Sequence, residues 1–173
     1  PAGLRCAGEV ADGVFPVWMD PNKYAVLGEH LEAGFATAGN GKGLKDFDIA
    51  PFVSVVLNDD LDSAFDALRP WIALYIGGMG AKGKNFYHDY ATALGYGDVA
   101  GRIQDLYLAG QKTEAEALVP NSLLDEVSLI GSKERIIERL GPWKEAGKRG
   151  EVGTMLLGVH DPVVMELLAG ELL

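Results

Sequence analysis

The stretch Asp48-Ile49-Ala50-Pro51-Phe52-Val53-Ser54-Val55-Val56-Leu57 limits the possible folds more than any other part of the chain, because it is almost continuously apolar. A strand with one wet face alternates polar and apolar residues. A run without alternation belongs to a sheet covered on both faces, and such sheets are parallel. Val14-Phe15-Pro16-Val17-Trp18 and the run from Val152 to Val159 read the same way, although Pro16 removes one ladder donor. Helical stripes separate these runs: Leu4, Ala7, Gly8 and Ala11; Tyr24, Leu27, Leu31 and Phe35; Ala64, Leu68 and Trp71; Ile136, Leu140 and Trp143; then Val164, Leu167 and Leu168 after Pro162. Alternation of this kind predicts right-handed βαβ units on a parallel sheet, with strands near residues 14–18, 49–57 and 152–159. No other strand-like run separates residues 77 and 130. A plain helix-to-strand connection takes only a few residues, so 77–130 reads as a helical insertion before the last strand.

That insertion opens on Leu74-Tyr75-Ile76-Gly77-Gly78-Met79-Gly80-Ala81-Lys82-Gly83-Lys84-Asn85, where four glycines predict an end to the preceding helix. Gly77, Gly78, Met79, Lys84 and Asn85 are candidates for a substrate or cofactor loop, since glycines allow close backbone approach and the lysines and Asn85 supply donors. The alternative is a helix cap followed by a packed surface turn. The spacing is not that of a P-loop, which needs Gly-x-x-x-x-Gly-Lys-Ser/Thr after a strand.

A chain of 173 residues, 48% hydrophobic and 23% charged, is long enough for one domain with a substantial core. Its net charge of -10 argues against nucleic acid and anionic membranes as partners, because both are gripped through Lys and Arg. No apolar run reaches the length of a membrane span. Cys6 is the sole cysteine, which excludes an internal disulfide and fits a reducing cytoplasm; its place on a packed helix predicts a buried, inert thiol. The chain opens on Pro1-Ala2-Gly3-Leu4 and runs straight into a helical pattern, which suggests a piece of a longer protein.

Chemistry-bearing residues are sparse. His30, His88 and His160 lie apart and lack Cys or carboxylate neighbours at ligand spacing, so no metal site is predicted. Asp59, Asp60 and Asp62 open a helix, where the dipole alone accounts for them. His160-Asp161 follows a strand and reads as a surface pair with a helix cap. Trp18 and Met19, at the exit of the first strand, stand where α/β folds bind ligands and could wall a flat ring; filling of the core is the competing reading.

Four blocks then carry a resemblance: Ala7-Gly8-Glu9-Val10-Ala11-Asp12-Gly13 leading into a strand, Ala73-Leu74-Tyr75-Ile76-Gly77-Gly78-Met79-Gly80 with Lys84-Asn85-Phe86-Tyr87, Ile103-Gln104-Asp105-Leu106-Tyr107-Leu108-Ala109-Gly110, and Val127-Ser128-Leu129-Ile130-Gly131. Together they resemble the luciferase-like monooxygenase superfamily, and within it the actinobacterial coenzyme F420-dependent oxidoreductases. The resemblance implies the C-terminal half of a (β/α)8 TIM barrel of the bacterial luciferase-like type, holding its last three strands. It implies F420 as cofactor, with FMN as the alternative, and hydride transfer to or from a small organic substrate. The cofactor's phosphate tail would lie at Pro1 and Ala2, with Trp18 and Met19 bordering the pocket. Catalytic residues stay unassigned, since the family carries most of them in the N-terminal half, and the 173-residue piece alone is expected to be inactive. Asp20 stands where the sugar-phosphate dehydrogenase branch carries a basic residue, which argues against a phosphorylated sugar. An FMN-dependent monooxygenase and a non-catalytic half-barrel assembly module are the rival readings. Three strands cannot close a barrel, so a missing N-terminal half or a second copy is the expected partner.

Overall fold

The computed structural model describes residues 1–159 and 161–173, so the pairing of His160 with Asp161 lies outside the described residues. The chain forms two compact units, residues 1–57 with 126–173, and residues 58–125.

Among the described residues, the strands all lie in the first unit: β1 (Gly13–Val14), β2 (Asp48–Ile49), β3 (Phe52–Leu57), β4 (Ser128–Gly131) and β5 (Leu156–Gly158). Every pairing is parallel, as the non-alternating runs require. The run at 49–57 is interrupted at Ala50-Pro51, because Pro51 has no N–H to give a neighbour. On either side of that break the strand uses its two edges alternately. Asp48, Ala50 and Phe52 donate N–H groups to Asp12, Val14 and Pro16, while the carbonyls of Ile49 and Pro51 accept from Gly153 and Leu156.

Two expectations are corrected. Ser128–Gly131 is a strand where only helical pieces were expected, so the helical insertion ends before β4 and not before the last strand. Four fully buried residues are too short a run to show any periodicity, which is why the sequence concealed them. The sheet order is β4-β3-β5, whereas a barrel sets consecutive strands side by side. β5 takes the opposite flank of β3 because its donors reach the carbonyls that point away from β1.

Helices α1 (Ala2–Val10) and α2 (Ala25–Ala38) cross at glycines. A Cβ on Gly8 would stand 2.5 Å from the Leu31 carbonyl oxygen, and one on Gly34 would stand 2.2 Å from that of Arg5. No side chain fits there, so the backbones touch directly. The small-residue stripe read from the sequence thus marks this crossing. Cys6 faces outward on α1 and is exposed, contrary to the buried thiol expected, because Gly8 provides the contact with α2. One equivalent of a thiol reagent should therefore modify the native protein at the rate of a free thiol; a reaction seen only after denaturation would contradict this exposure.

Beneath the sheet, α9 (Lys133–Lys148) starts at Ser132, whose hydroxyl caps the Arg135 N–H, and buries Ile136, Leu140 and Trp143. Gly131, at φ 119°, makes the left-handed turn between β4 and that cap. Helix α10 (Pro162–Leu172) closes the unit with Val164 and Leu168 turned inward.

The second unit is helical: α3 (Leu61–Asp66), α4 (Arg69–Ala73), α5 (Phe86–Ala91), α6 (Gly97–Leu108) and α7 (Lys112–Ala117), with α8 (Asn121–Val127) leading out. The glycine-rich stretch does not stop the helix where expected. A π-helical turn carries it through Leu74–Gly78, and the chain reverses only after Met79. Gly77 and Gly78 are glycine because Tyr107 packs on them: added Cβ atoms would sit 2.4 and 2.6 Å from its side chain. A second π turn, Thr92–Tyr96, joins α5 to α6.

Candidate functional site

The exit of β1 is the most constrained point of the first unit. Val17 bridges Phe52, and the chain then enters Trp18, Met19 and Asp20, which are 5%, 1% and 3% exposed. Trp18 has φ 57°, a left-handed conformation that costs a bulky residue about 1–2 kcal/mol. Such strain persists only where the surroundings enforce it, and it concentrates at functional positions. The surroundings here are polar and specific. Asp20 Oδ1 accepts the Asn22 N–H at 2.9 Å, Lys23 Nζ lies 3.6 Å from Asp20 Oδ2, and the same ammonium donates to Glu126 Oε2 at 2.7 Å.

Tyr24 follows directly. Burial, with Glu32 and Glu151 adding, pushes its phenol up to about 12, and its hydroxyl has no hydrogen-bond partner. Because burial penalises the phenolate, a folded pKa above the unfolded value of about 10 makes stability fall as pH rises from about 10 toward 12 and leaves it unaffected below pH 10. Tyr24→Phe should flatten that alkaline loss in denaturation curves without harming stability at neutral pH; an unchanged alkaline slope would contradict this reading.

The other sequence candidates are placed as follows. Pro1 and Ala2 are exposed at the start of α1, whose first turn has no side-chain cap and no acidic residue. Its free N–H groups and positive dipole end suit an anionic group such as a phosphate tail. Trp18 and Met19 are buried and present no open face. Met79 and Lys84 are exposed on the turn of the second unit, where Lys82 pairs with Asp105. Asn85 is 1% exposed and internally committed. Its oxygen accepts from the N–H groups of Tyr87 and His88, and its Nδ2 donates to the carbonyls of Tyr75 and Ile76 at 3.0 and 2.8 Å. Those carbonyls belong to the π turn, where the helical ladder is interrupted, so Asn85 is both cap and clasp. Gly77 and Gly78 serve the Tyr107 packing described above. No group of three metal-binding side chains exists among the described residues.

Sequence reasoning missed a mostly apolar cavity of about 800 Å³ between α9, β5 and α10. Trp143, Val152, Leu157, Val159, Met165 and Leu168 are among its walls. An environment-sensitive apolar dye should bind here, and Leu157→Glu should abolish its fluorescence gain; an equal gain in the variant would place the dye elsewhere.

The parallel α/β sheet defines the fold class, and likeness to known proteins defines the family. The sequence model of the luciferase-like monooxygenase family matches residues 1–150, and the chain belongs to that family. It is 33% identical over 147 residues to a coenzyme F420-dependent oxidoreductase of Mycobacterium tuberculosis, covering 85% of this chain and 42% of that protein. It is 24% identical over 176 residues to the 5,10-methylenetetrahydromethanopterin reductase of Archaeoglobus fulgidus, covering 100% of this chain and 51% of that protein. The chain thus spans about half the length of the curated relatives it matches. Among solved structures, the coenzyme F420-dependent tetrahydromethanopterin reductase of Methanopyrus kandleri superposes with a TM-score of 0.64 at 23% identity, over 97% of this chain and 46% of that one. An F420-dependent secondary alcohol dehydrogenase bound to an F420-acetone adduct gives 0.59 at 21% identity, over 91% of this chain and 40% of that one. These likenesses establish a shared α/β fold with parallel strands. No helix among the described residues is long and apolar enough to cross a membrane.

Proposed function

We propose that the chain is part of an oxidoreductase that holds coenzyme F420 and moves a hydride between it and a small organic substrate. The observation that carries this reading is the 33% identity, over 85% of the chain, to an F420-dependent oxidoreductase. When bound, the deazaflavin supplies the hydride chemistry, and the protein supplies position and electrostatics. The uncapped first turn of α1 at Pro1 and Ala2 binds the anionic tail, and its lack of an acidic residue keeps that terminus attractive to anions. Trp18 and Met19 form the packed floor behind the ring, held at fixed height by the Val17–Phe52 bridge. Asp20, a buried carboxylate at that exit, offers a phosphorylated substrate no donor of its own.

Mapping F420-induced amide shifts tests the assignment of the tail. The N–H signals of Ala2, Gly3 and Leu4 should move most, and Ala2→Asp should suppress those shifts by placing a like charge at the anion's seat. Undisturbed α1 amides at saturating cofactor would refute the assignment.

The same reading extends to the partner. Among the described residues β5 is paired on one flank only, and Leu156 on it is 41% exposed. A parallel strand from the remaining half of the family fold is the occupant this edge suits.

A further inference from the structure

Among the described residues, Trp18 and Asn40 are the non-glycine positions with positive φ. Asn40 sits in an exposed Gly-Asn-Gly turn, where a short polar side chain tolerates that conformation. Trp18 has no such excuse, being bulky and buried, so something downstream must hold it.

We infer that Lys23 is the positioning residue that fixes Trp18, by locking the buried Asp20 carboxylate to Glu126 at the junction of α8 and β4. Three contacts close the segment. The Lys23 N–H donates to the Asp20 carbonyl at 3.0 Å, Asp20 Oδ1 takes the Asn22 N–H, and Lys23 Nζ stands between Asp20 Oδ2 and Glu126 Oε2 at 3.6 and 2.7 Å. The Asp20 side chain is 2% exposed, so its charge depends on that ammonium for compensation. Glu126 lies near the end of α8, two residues before the fully buried β4, which makes it a rigid anchor. With one end of the Trp18–Asp20 segment fixed by the Val17–Phe52 bridge and the other by this ion pair, the intervening backbone has no slack to relax to negative φ. A contact that only added surface charge would need neither a buried carboxylate nor an anchor so distant in sequence.

Fluorine NMR of the 5-fluorotryptophan-labelled chain tests this without any ligand. The three tryptophans give three signals, assigned through Trp18→Phe, Trp71→Phe and Trp143→Phe. Lys23→Met should shift the Trp18 signal by more than its linewidth and leave the other two in place, and Lys23→Arg should restore it. Because Lys23→Met strands a buried charge, Asp20→Asn/Lys23→Met is the companion variant; it removes that charge and should show the same selective shift. A Trp18 signal unmoved in both variants, or all three signals moving together, would overturn the inference. The role of Trp18 behind a cofactor ring rests on the proposed function, whereas this readout does not, so the two ideas fail separately.

Discussion

Gly34→Val is expected to destabilise the protein by about 3 kcal/mol or more, the upper end of what overpacking a rigid site costs. The added Cβ would meet three backbone atoms of α1: the Arg5 oxygen at 2.2 Å, the Glu9 nitrogen at 2.9 Å and the Gly8 Cα at 2.9 Å. A flexible side chain could swing away from such a contact, but a helical backbone cannot. The helices must separate, and α1 is the element that carries the proposed tail site. Gly101→Ala in α6 is the matched control, since nothing lies within 4 Å of its Cβ position. That change should be neutral or stabilising by up to about 1 kcal/mol, because alanine outranks glycine inside a helix. Urea denaturation of both variants decides the matter, and equal midpoints would show that the α1–α2 contact is looser than described.

The second large effect is expected at Asn85, where alanine should cost about 2–4 kcal/mol. The loss has two parts: the N–H groups of Tyr87 and His88 lose their acceptor, and the buried carbonyls of Tyr75 and Ile76 lose their donor. Asn85→Asp separates them. It keeps the acceptor for the helix cap but sets a carboxylate against two carbonyl oxygens, so it should be no better than alanine despite its cap. Hydrogen exchange at Tyr87 and His88 should accelerate in the alanine variant and stay protected in the aspartate variant. Stability unchanged by Asn85→Ala would remove both roles at once.

The sequence made the parallel sheet legible because runs buried on both faces cannot alternate, and Asp48 to Leu57 does not. It located α1, α2 and α9 through their apolar stripes, and Asp60 caps the helix it was read to open. It also announced the family, through blocks that no periodicity argument would single out. What it concealed was β4, too short for a pattern, and the flank that β5 occupies, which depends on which carbonyls of Ile49 and Pro51 remain free. The glycine-rich stretch misled in an instructive way. Glycine serves there for close packing on Tyr107 as well as for turning, and the two uses look alike in sequence. Asn85, singled out for its donors, spends them inside the fold. Trp18 was noticed for its place at a strand exit, but its left-handed backbone could not be read from its neighbours. The apolar cavity was invisible because its walls read as ordinary core.

The proposed binding of F420 is tested most directly by a competitive titration. Oxidised F420 and FMN are each titrated against the protein, then each against the complex of the other. The account predicts at least tenfold tighter binding of F420, with Ala2→Asp weakening it by about an order of magnitude through the tail. Tighter binding of FMN, or an F420 affinity indifferent to the charge at Ala2, would contradict it.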